Sequence, residues 1–273
     1  MFKLLKKYTE KAYTTTVNFQ LIRTMYRLAR KFHSIRRIGS ADSTACRYRF
    51  YDYKEAQVSP WHDIPLRCEN SDSIFHFISE IPRGERAKLE IACKEAYNPI
   101  KQDVTRTGSA RFYHSDSLVN YGCLPQTWEN PFLLDPHTGF KGDNDPVDVV
   151  EISQICRASI GDVLRVKVLG VLAMIDDQET DWKIIAINTD DPIAAEVEDV
   201  NDLYRFSEYR VLLPRITEWF RDYKIPDGKL PSEFAFDGKA QSQSLALKVI
   251  EETHNNWKDL MANPKLGEAL WTR

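Results

Sequence analysis

This chain is expected to fold as a mainly β, α+β protein: a small closed or partly closed barrel with flanking helices and additional strands near its N-terminal end. Three observations carry that expectation. Apolar runs of strand length recur between residues 47 and 188, turn residues interrupt them at short intervals, and two helical periodicities occupy the last third of the chain. Residues 47–53 alternate aromatic and polar side chains and stop before Ser59-Pro60, the pattern of an edge strand or a hairpin arm. Residues 73–82 and 87–92 form two short strands around the turn Pro82-Arg83-Gly84. Further strands are expected over 147–152, 163–175 and 182–188, separated by turns such as Thr138-Gly139 and Ser159-Ile160-Gly161. A helix over about 212–223 ends before Ile225-Pro226-Asp227-Gly228, and a second runs over about 244–262. In the second, Ala246, Val249, Ile250, Thr253, Trp257, Leu260 and Met261 repeat at helical spacing and give one face to bury.

With 42% hydrophobic and 28% charged residues in 273, the composition is that of a folded chain and excludes a mainly disordered or fibrous one. The longest apolar stretch, residues 168–175, is far shorter than the roughly 20 residues a membrane-crossing helix needs. Cys46, Cys68, Cys93, Cys123 and Cys156 are odd in number and show no zinc-ligand spacing, which suits packing cysteines in a reducing compartment.

Charge is unevenly distributed. Residues 1–37 hold ten basic side chains against the single acid Glu10, a net +9, and the remainder carries −12. Within this leader Leu21, Ile22, Met25, Leu28, Ala29, Phe32 and Ile35 share one helical arc, with Arg23, Arg27, Arg30 and Lys31 opposite. A basic amphipathic helix beside a Thr14-Thr15-Thr16 run has the form of a transit peptide and points to mitochondria; a cytoplasmic chain with a packing helix is the competing reading. The expected organisation is a leader over 1–38 and one domain over 39–273. That domain lacks the basic excess of a nucleic-acid binder.

Its acids are clustered. Asp143-Asn144-Asp145-Pro146-Val147-Asp148 places three carboxylates in six residues, and Asp148 shares a strand face with Val150 and Ile152. An EF-hand is excluded, since its Gly and Glu positions are here Asp148 and Gln154. Asp176 and Asp181 are expected at the two ends of one hairpin connection, facing each other, while Lys88 and Glu90 share a strand face near Glu80. Two carboxylates about 4 Å apart repel by on the order of 4 kcal/mol at an effective dielectric near 20, so such a cluster needs cations. All-oxygen ligands suit hard ions, magnesium above all when a substrate brings phosphates. Lys88, Arg111, Tyr121, Lys183, Tyr223 and Lys224 are natural partners for phosphate oxygens.

The segments Glu80-Ile-Pro-Arg, Lys88-Leu-Glu90, Asn120-Tyr121-Gly, Pro-Gln-Thr-Trp128-Glu, Asp143-Asn-Asp145-Pro-Val-Asp148, Glu179-Thr-Asp181-Trp-Lys183 and Trp219-Phe-Arg-Asp-Tyr223-Lys224 together resemble the family I soluble inorganic pyrophosphatases of eukaryotic type. The likeness spans about residues 36–262 and implies a five-stranded OB-like barrel with helices, several Mg²⁺ ions, pyrophosphate as substrate and a homodimer. It also implies roles: Asp143, Asp148 and Asp181 as principal metal ligands, Asp176 and Glu90 as further ones, and Glu80 as an acidic member of the site. Asp145 corresponds to the base beside the nucleophilic water, and Lys88, Arg111, Tyr121, Lys183, Tyr223 and Lys224 to groups that hold the two phosphoryl groups.

Two departures stand out. The segment from Arg111 to Tyr121 is about five residues shorter than the family's, and Ser117 stands where an additional active-site tyrosine would align. Asp177-Gln178 replaces a usual Glu-Gly. A missing phenol implies slower hydrolysis, and a catalytically weak paralogue acting as a subunit or scaffold is the alternative function.

Overall fold

The computed structural model describes residues 34–41, 43–68 and 71–272. Residues 1–33, and with them most of the expected leader helix, lie outside the described residues. Its last part, Ser34–Ile38, is a strand, β1, paired antiparallel along its whole length with β2, Arg47–Tyr51. This pairing decides between the two readings of β2. It is a hairpin arm rather than an edge strand, because β1 covers one side while β3, Gln57–Val58, and β6, Ile100–Gln102, pair with the other. The covering strand comes from the segment that the charge pattern assigns to the leader. With β5, Leu89–Ile91, these strands complete an N-terminal sheet, and the short helix α1, Pro60–Asp63, follows β3.

The second sheet holds the remaining strands: β4 (Ile74–Ile81), β7 (Asn120–Cys123), β8 (Lys141–Gly142), β9 (Asp148–Glu151), β10 (Val163–Asp176), β11 (Glu179–Asn188), β12 (Glu233–Phe234) and β13 (Gln241–Ser242). Five of them close on themselves. The order β10-β4-β7-β9-β11 returns to β10 through the β10–β11 hairpin, which is the expected five-stranded barrel. The turn at Pro82-Arg83-Gly84 does not join two strands of one sheet; it carries the chain from β4 in the barrel to β5 in the N-terminal sheet.

Two helices flank the barrel, as the periodicities predict. Helix α2, Ser207–Asp222, buries Tyr209, Leu212, Leu213, Ile216 and Phe220 at spacings of three and four. These pack with Val150, Ile152, Ile185 and Ile187 of the barrel. Helix α3, Gln243–Ala262, buries Ala246, Val249 and Ile250 against the alternate set, including Val149, Ile184 and Ala186. Each such side chain contributes about 1.5–3 kcal/mol when fully buried, so both helices are held by their apolar faces.

Two local features position the site. The β10–β11 hairpin is tighter than expected: Asp176 pairs with Glu179 across a two-residue turn in which Asp177 and Gln178 have φ of 50° and 69°. Asp181 therefore lies within the strand opposite Met174 rather than at the end of the connection facing Asp176. In β4 the register slips between Ser79 and Ile81, leaving Glu80 as the bulged residue opposite β7. There β7 comes so close that a Cβ on Gly122 would lie 1.9 Å from the Ile78 carbonyl oxygen and 2.9 Å from the Glu80 nitrogen. The expected result for Gly122→Ala is a loss of at least about 2 kcal/mol from overpacking against backbone, read as a lower urea midpoint. An unchanged midpoint would contradict this close approach.

Candidate active site

Strand periodicity builds the site. Glu179, Asp181 and Lys183 alternate along β11 and share one face, and the parallel register sets Lys183 beside Asp148 of β9. Antiparallel pairing then sets Cys123 beside Asp148, with Tyr121 two residues along the same face. The result is a compact polar centre in which the Lys183 ammonium, 3% exposed, bonds both Asp148 and Asp181 and donates to the Tyr121 hydroxyl at 3.0 Å. Tyr121 in turn donates to Asp148.

A cleft of about 220 Å³ opens on this centre. It is smaller than the roughly 300–1,000 Å³ of drug-sized sites and suits a small anion with its cations. All thirteen side chains singled out by the sequence line it: Glu80, Glu90, Asp143, Asp145, Asp148, Asp176 and Asp181 among the acids, and Lys88, Arg111, Tyr121, Lys183, Tyr223 and Lys224 among the anion-binding groups. Lys88 and Glu90 do share a face, with Nζ and Oε2 2.9 Å apart. Tyr223 and Lys224 follow the C-terminus of α2 and both bond Asp176. The substituted turn is tied down as well, since the Asp177 carboxylate accepts from Lys224 and Lys229. Glu80 is committed in part: one oxygen accepts from the Ile91 amide at 2.7 Å, joining the barrel to the N-terminal sheet.

Local geometry shapes the acidic loop. Asp143 Oδ1 accepts from the Asp145 amide at 3.0 Å, and Asn144 adopts φ of 74°, with its side-chain oxygen held by Trp128 Nε1 at 2.9 Å. Asp145 is exposed on the wall of the cleft. Crowding by the surrounding protein, with the Glu90 charge nearby, pushes its carboxyl up to about 6. Burial likewise pushes Asp181 up to about 7, against the pull of Lys183. Burial works against charge on Lys183, but Asp148 and Asp181 outweigh it and hold the ammonium well above the usual lysine range.

Three further residues escape a reading of the sequence. Glu129, 2% exposed, places a carboxylate oxygen within 4.8 Å of those of Asp143 and Asp181. Its Oε1 accepts from the Trp182 amide, while Oε2 has no hydrogen-bond partner among the described residues. A buried, unpaired carboxylate oxygen beside two further carboxylates is a donor set suited to a hard divalent cation. The only sequence signal was an acid placed directly after the buried Trp128. Asp103 lies behind the cleft and bonds both Lys88, at 3.0 Å, and Arg111, at 3.1 Å. Tyr113 lines the cleft beside Arg111. Ser117, by contrast, turns its hydroxyl to the Val119 carbonyl and does not line the cleft.

Carboxylates for hard cations, facing lysines, an arginine and phenols for anion oxygens, are the equipment of an enzyme that hydrolyses phosphoric anhydrides. Residues 77–258 match the family described as inorganic pyrophosphatase. The chain is similar to the inorganic pyrophosphatase of Bos taurus, 46% identical over 223 residues covering 80% of this chain and 75% of that one. The recombinant enzyme from T brucei brucei has a TM-score of 0.79 at 43% identity, covering 87% of this chain and 73% of that one. An N-terminally truncated Trypanosoma cruzi vacuolar soluble pyrophosphatase, solved in complex with PPi, has a TM-score of 0.76 at 42% identity, covering 83% of this chain and 90% of that one. The chain belongs to the inorganic pyrophosphatase family.

The raised carboxyls make the cation-free protein sensitive to pH. A carboxyl whose folded pKa lies above its unfolded value adds stability below the unfolded pKa, and that contribution disappears as pH rises through the folded value. For Asp181 the window runs from about 4 to about 7. In chelator, the thermal midpoint is expected to fall between pH 5 and pH 8, and the gain from adding a divalent cation to grow over the same range. A cation effect equal at both pH values would contradict this electrostatic account.

Proposed function

We propose that this protein hydrolyses inorganic pyrophosphate to two phosphates in the cleft between Asp148, Lys88 and Lys224, using several Mg²⁺ ions. The observation that carries this reading is the convergence of nine carboxyl groups and four cationic side chains on one small cleft, in a chain of this family. Asp143, Asp148 and Asp181 would hold the principal ions, with Glu90 and Asp176 adding ligands for ions that arrive with phosphate. When bound, such ions lower the pKa of water and neutralise phosphate charge. Asp145, with its carboxyl near 6 and open to the cleft, accepts the proton of the attacking water. Water oxygen bonds to one phosphorus as the bridging P–O bond breaks, and the leaving phosphate departs with that electron pair. Arg111, Lys88, Tyr121 and Lys183 orient one phosphoryl group; Tyr223 and Lys224 stand beside the other and stabilise its developing charge.

No observation favours the scaffold alternative, since the cleft retains every carboxylate and cationic group that the chemistry calls for. By resemblance the protein acts as a homodimer, and the +9 leader supports delivery to mitochondria.

Purified protein in magnesium is expected to release phosphate from pyrophosphate, and Asp148→Ala to lose at least about a thousandfold in turnover while keeping its thermal midpoint. Turnover near the parent's in saturating magnesium would remove Asp148 from its central role, and no phosphate release by the parent protein would overturn the functional reading. Residues 1–37 fused to a fluorescent protein are expected in mitochondria, and the Arg23→Glu, Arg27→Glu, Arg30→Glu triple variant in the cytosol. A cytosolic parent fusion would contradict the targeting role.

A further inference from the structure

The short segment between Arg111 and Tyr121 is not a passive link. Residues 110–113 run extended beside the start of β5: Phe112 bridges Ala87, the Lys88 amide donates to the Arg111 carbonyl, and the Tyr113 amide donates to the Arg86 carbonyl at 2.7 Å. Side chains alternate on such a run. Phe112 accordingly faces outward, 55% exposed, while Arg111 and Tyr113 both face the cleft. Tyr113 is only 4% exposed. Its ring packs edge-on against Trp219, centroids 4.6 Å apart, and against Tyr223 at 6.0 Å, so it is held from two sides.

Its hydroxyl is the unexplained part. The ring is buried, but the hydroxyl is not one of the buried polar atoms left without a partner; it opens on the cleft. Among the described residues the Tyr113 hydroxyl has no hydrogen-bond partner, although Tyr121 and Tyr223, the other two phenols of the cleft, donate to Asp148 and Asp176. Burial also raises the Tyr113 phenol above the usual tyrosine range, so it keeps its proton at any physiological pH and serves as a donor. A donor that faces the cleft beside Lys88 and Arg111, and that no described residue accepts from, is free to bond an oxygen-rich anion.

We propose that Tyr113 is a substrate-binding residue whose hydroxyl donates a hydrogen bond to a phosphoryl oxygen of pyrophosphate, alongside Arg111. This rests on the pyrophosphatase reading and deepens it, because the shortened segment then supplies a phenol from position 113 although Ser117 offers none. The expectation of a phenol-poor, slow site does not follow from the loop's length.

Tyr113→Phe tests the inference, since it removes the oxygen and keeps the ring against Trp219. A hydrogen bond to a charged oxygen lost in this way lowers kcat/KM by about 10- to 150-fold. The affinity for methylenediphosphonate, a non-hydrolysable analogue, measured by calorimetry in magnesium, is expected to fall several-fold at an unchanged thermal midpoint. Parent-like kcat/KM and analogue affinity in the variant would overturn the role of Tyr113 while leaving the pyrophosphatase reading intact. That reading fails separately, if the parent protein releases no phosphate. Should the variant lose thermal stability, both measurements are repeated well below its midpoint, where it is fully folded: parent-like analogue affinity there assigns Tyr113 a packing role only and overturns the inference, and a reduced affinity supports it.

Discussion

Mutual repulsion among buried carboxylates is the constraint around which this structure is organised. Asp148 and Asp181 flank one buried ammonium, Lys183, and Asp143 and Glu129 stand close to Asp181. Removing such charges from water costs several kcal/mol per ion, and one lysine cannot compensate four carboxyls. The protein accommodates them in two ways: burial raises the carboxyls of Glu129, Asp143 and Asp181 above their ordinary range, and the cluster is left open on one side, where cations can enter. Metal affinity is thus built from strain that a rigid barrel holds in place.

Rigidity comes from closure. Five strands that close through the β10–β11 hairpin leave no slack for the register that sets Lys183 beside Asp148, since a one-residue slip would turn every functional group on β11 away from the cleft. The bulged residue Glu80 then ties the barrel to the N-terminal sheet by accepting from the Ile91 amide, at the end of the strand that brings Lys88 and Glu90 to the same cleft. Helix α2 completes the wall by placing Phe220 under Lys183 and delivering Tyr223 and Lys224 at its end.

Much of this was legible in the sequence because it follows local periods. The long β10 and β11 strands, both major helices and the shared faces of Lys88 with Glu90 and of Asp148 with Val150 need only alternation or helical spacing. The pairing of Ser34–Ile38 was hidden because its five residues continue a basic, helix-patterned leader and their partners lie nine to seventeen residues further on. Strand β7 is short and contains Asn120 and Gly122, so its strand character comes from neighbours on both sides rather than from propensity. Glu129, Asp103 and Tyr113 were missed for another reason. Each acts through partners distant in sequence or through an extended run with no apolar alternation, and only the folded chain shows what they face. The tight turn at Asp177-Gln178 was misjudged because neither residue is glycine; the lysines that bond Asp177 help to hold its left-handed backbone.

The central claim is that these carboxyls are held close together, with those of Glu129, Asp143 and Asp181 raised above their ordinary range, for cations to occupy. Titrating magnesium into chelator-stripped protein at pH 7, in two buffers of different ionisation enthalpy, measures cation binding and proton release together. The account predicts saturable binding accompanied by a net release of protons, as Asp181 and its neighbours give up theirs to the incoming ions. Saturable binding with no proton release, or no saturable binding at all, would contradict it.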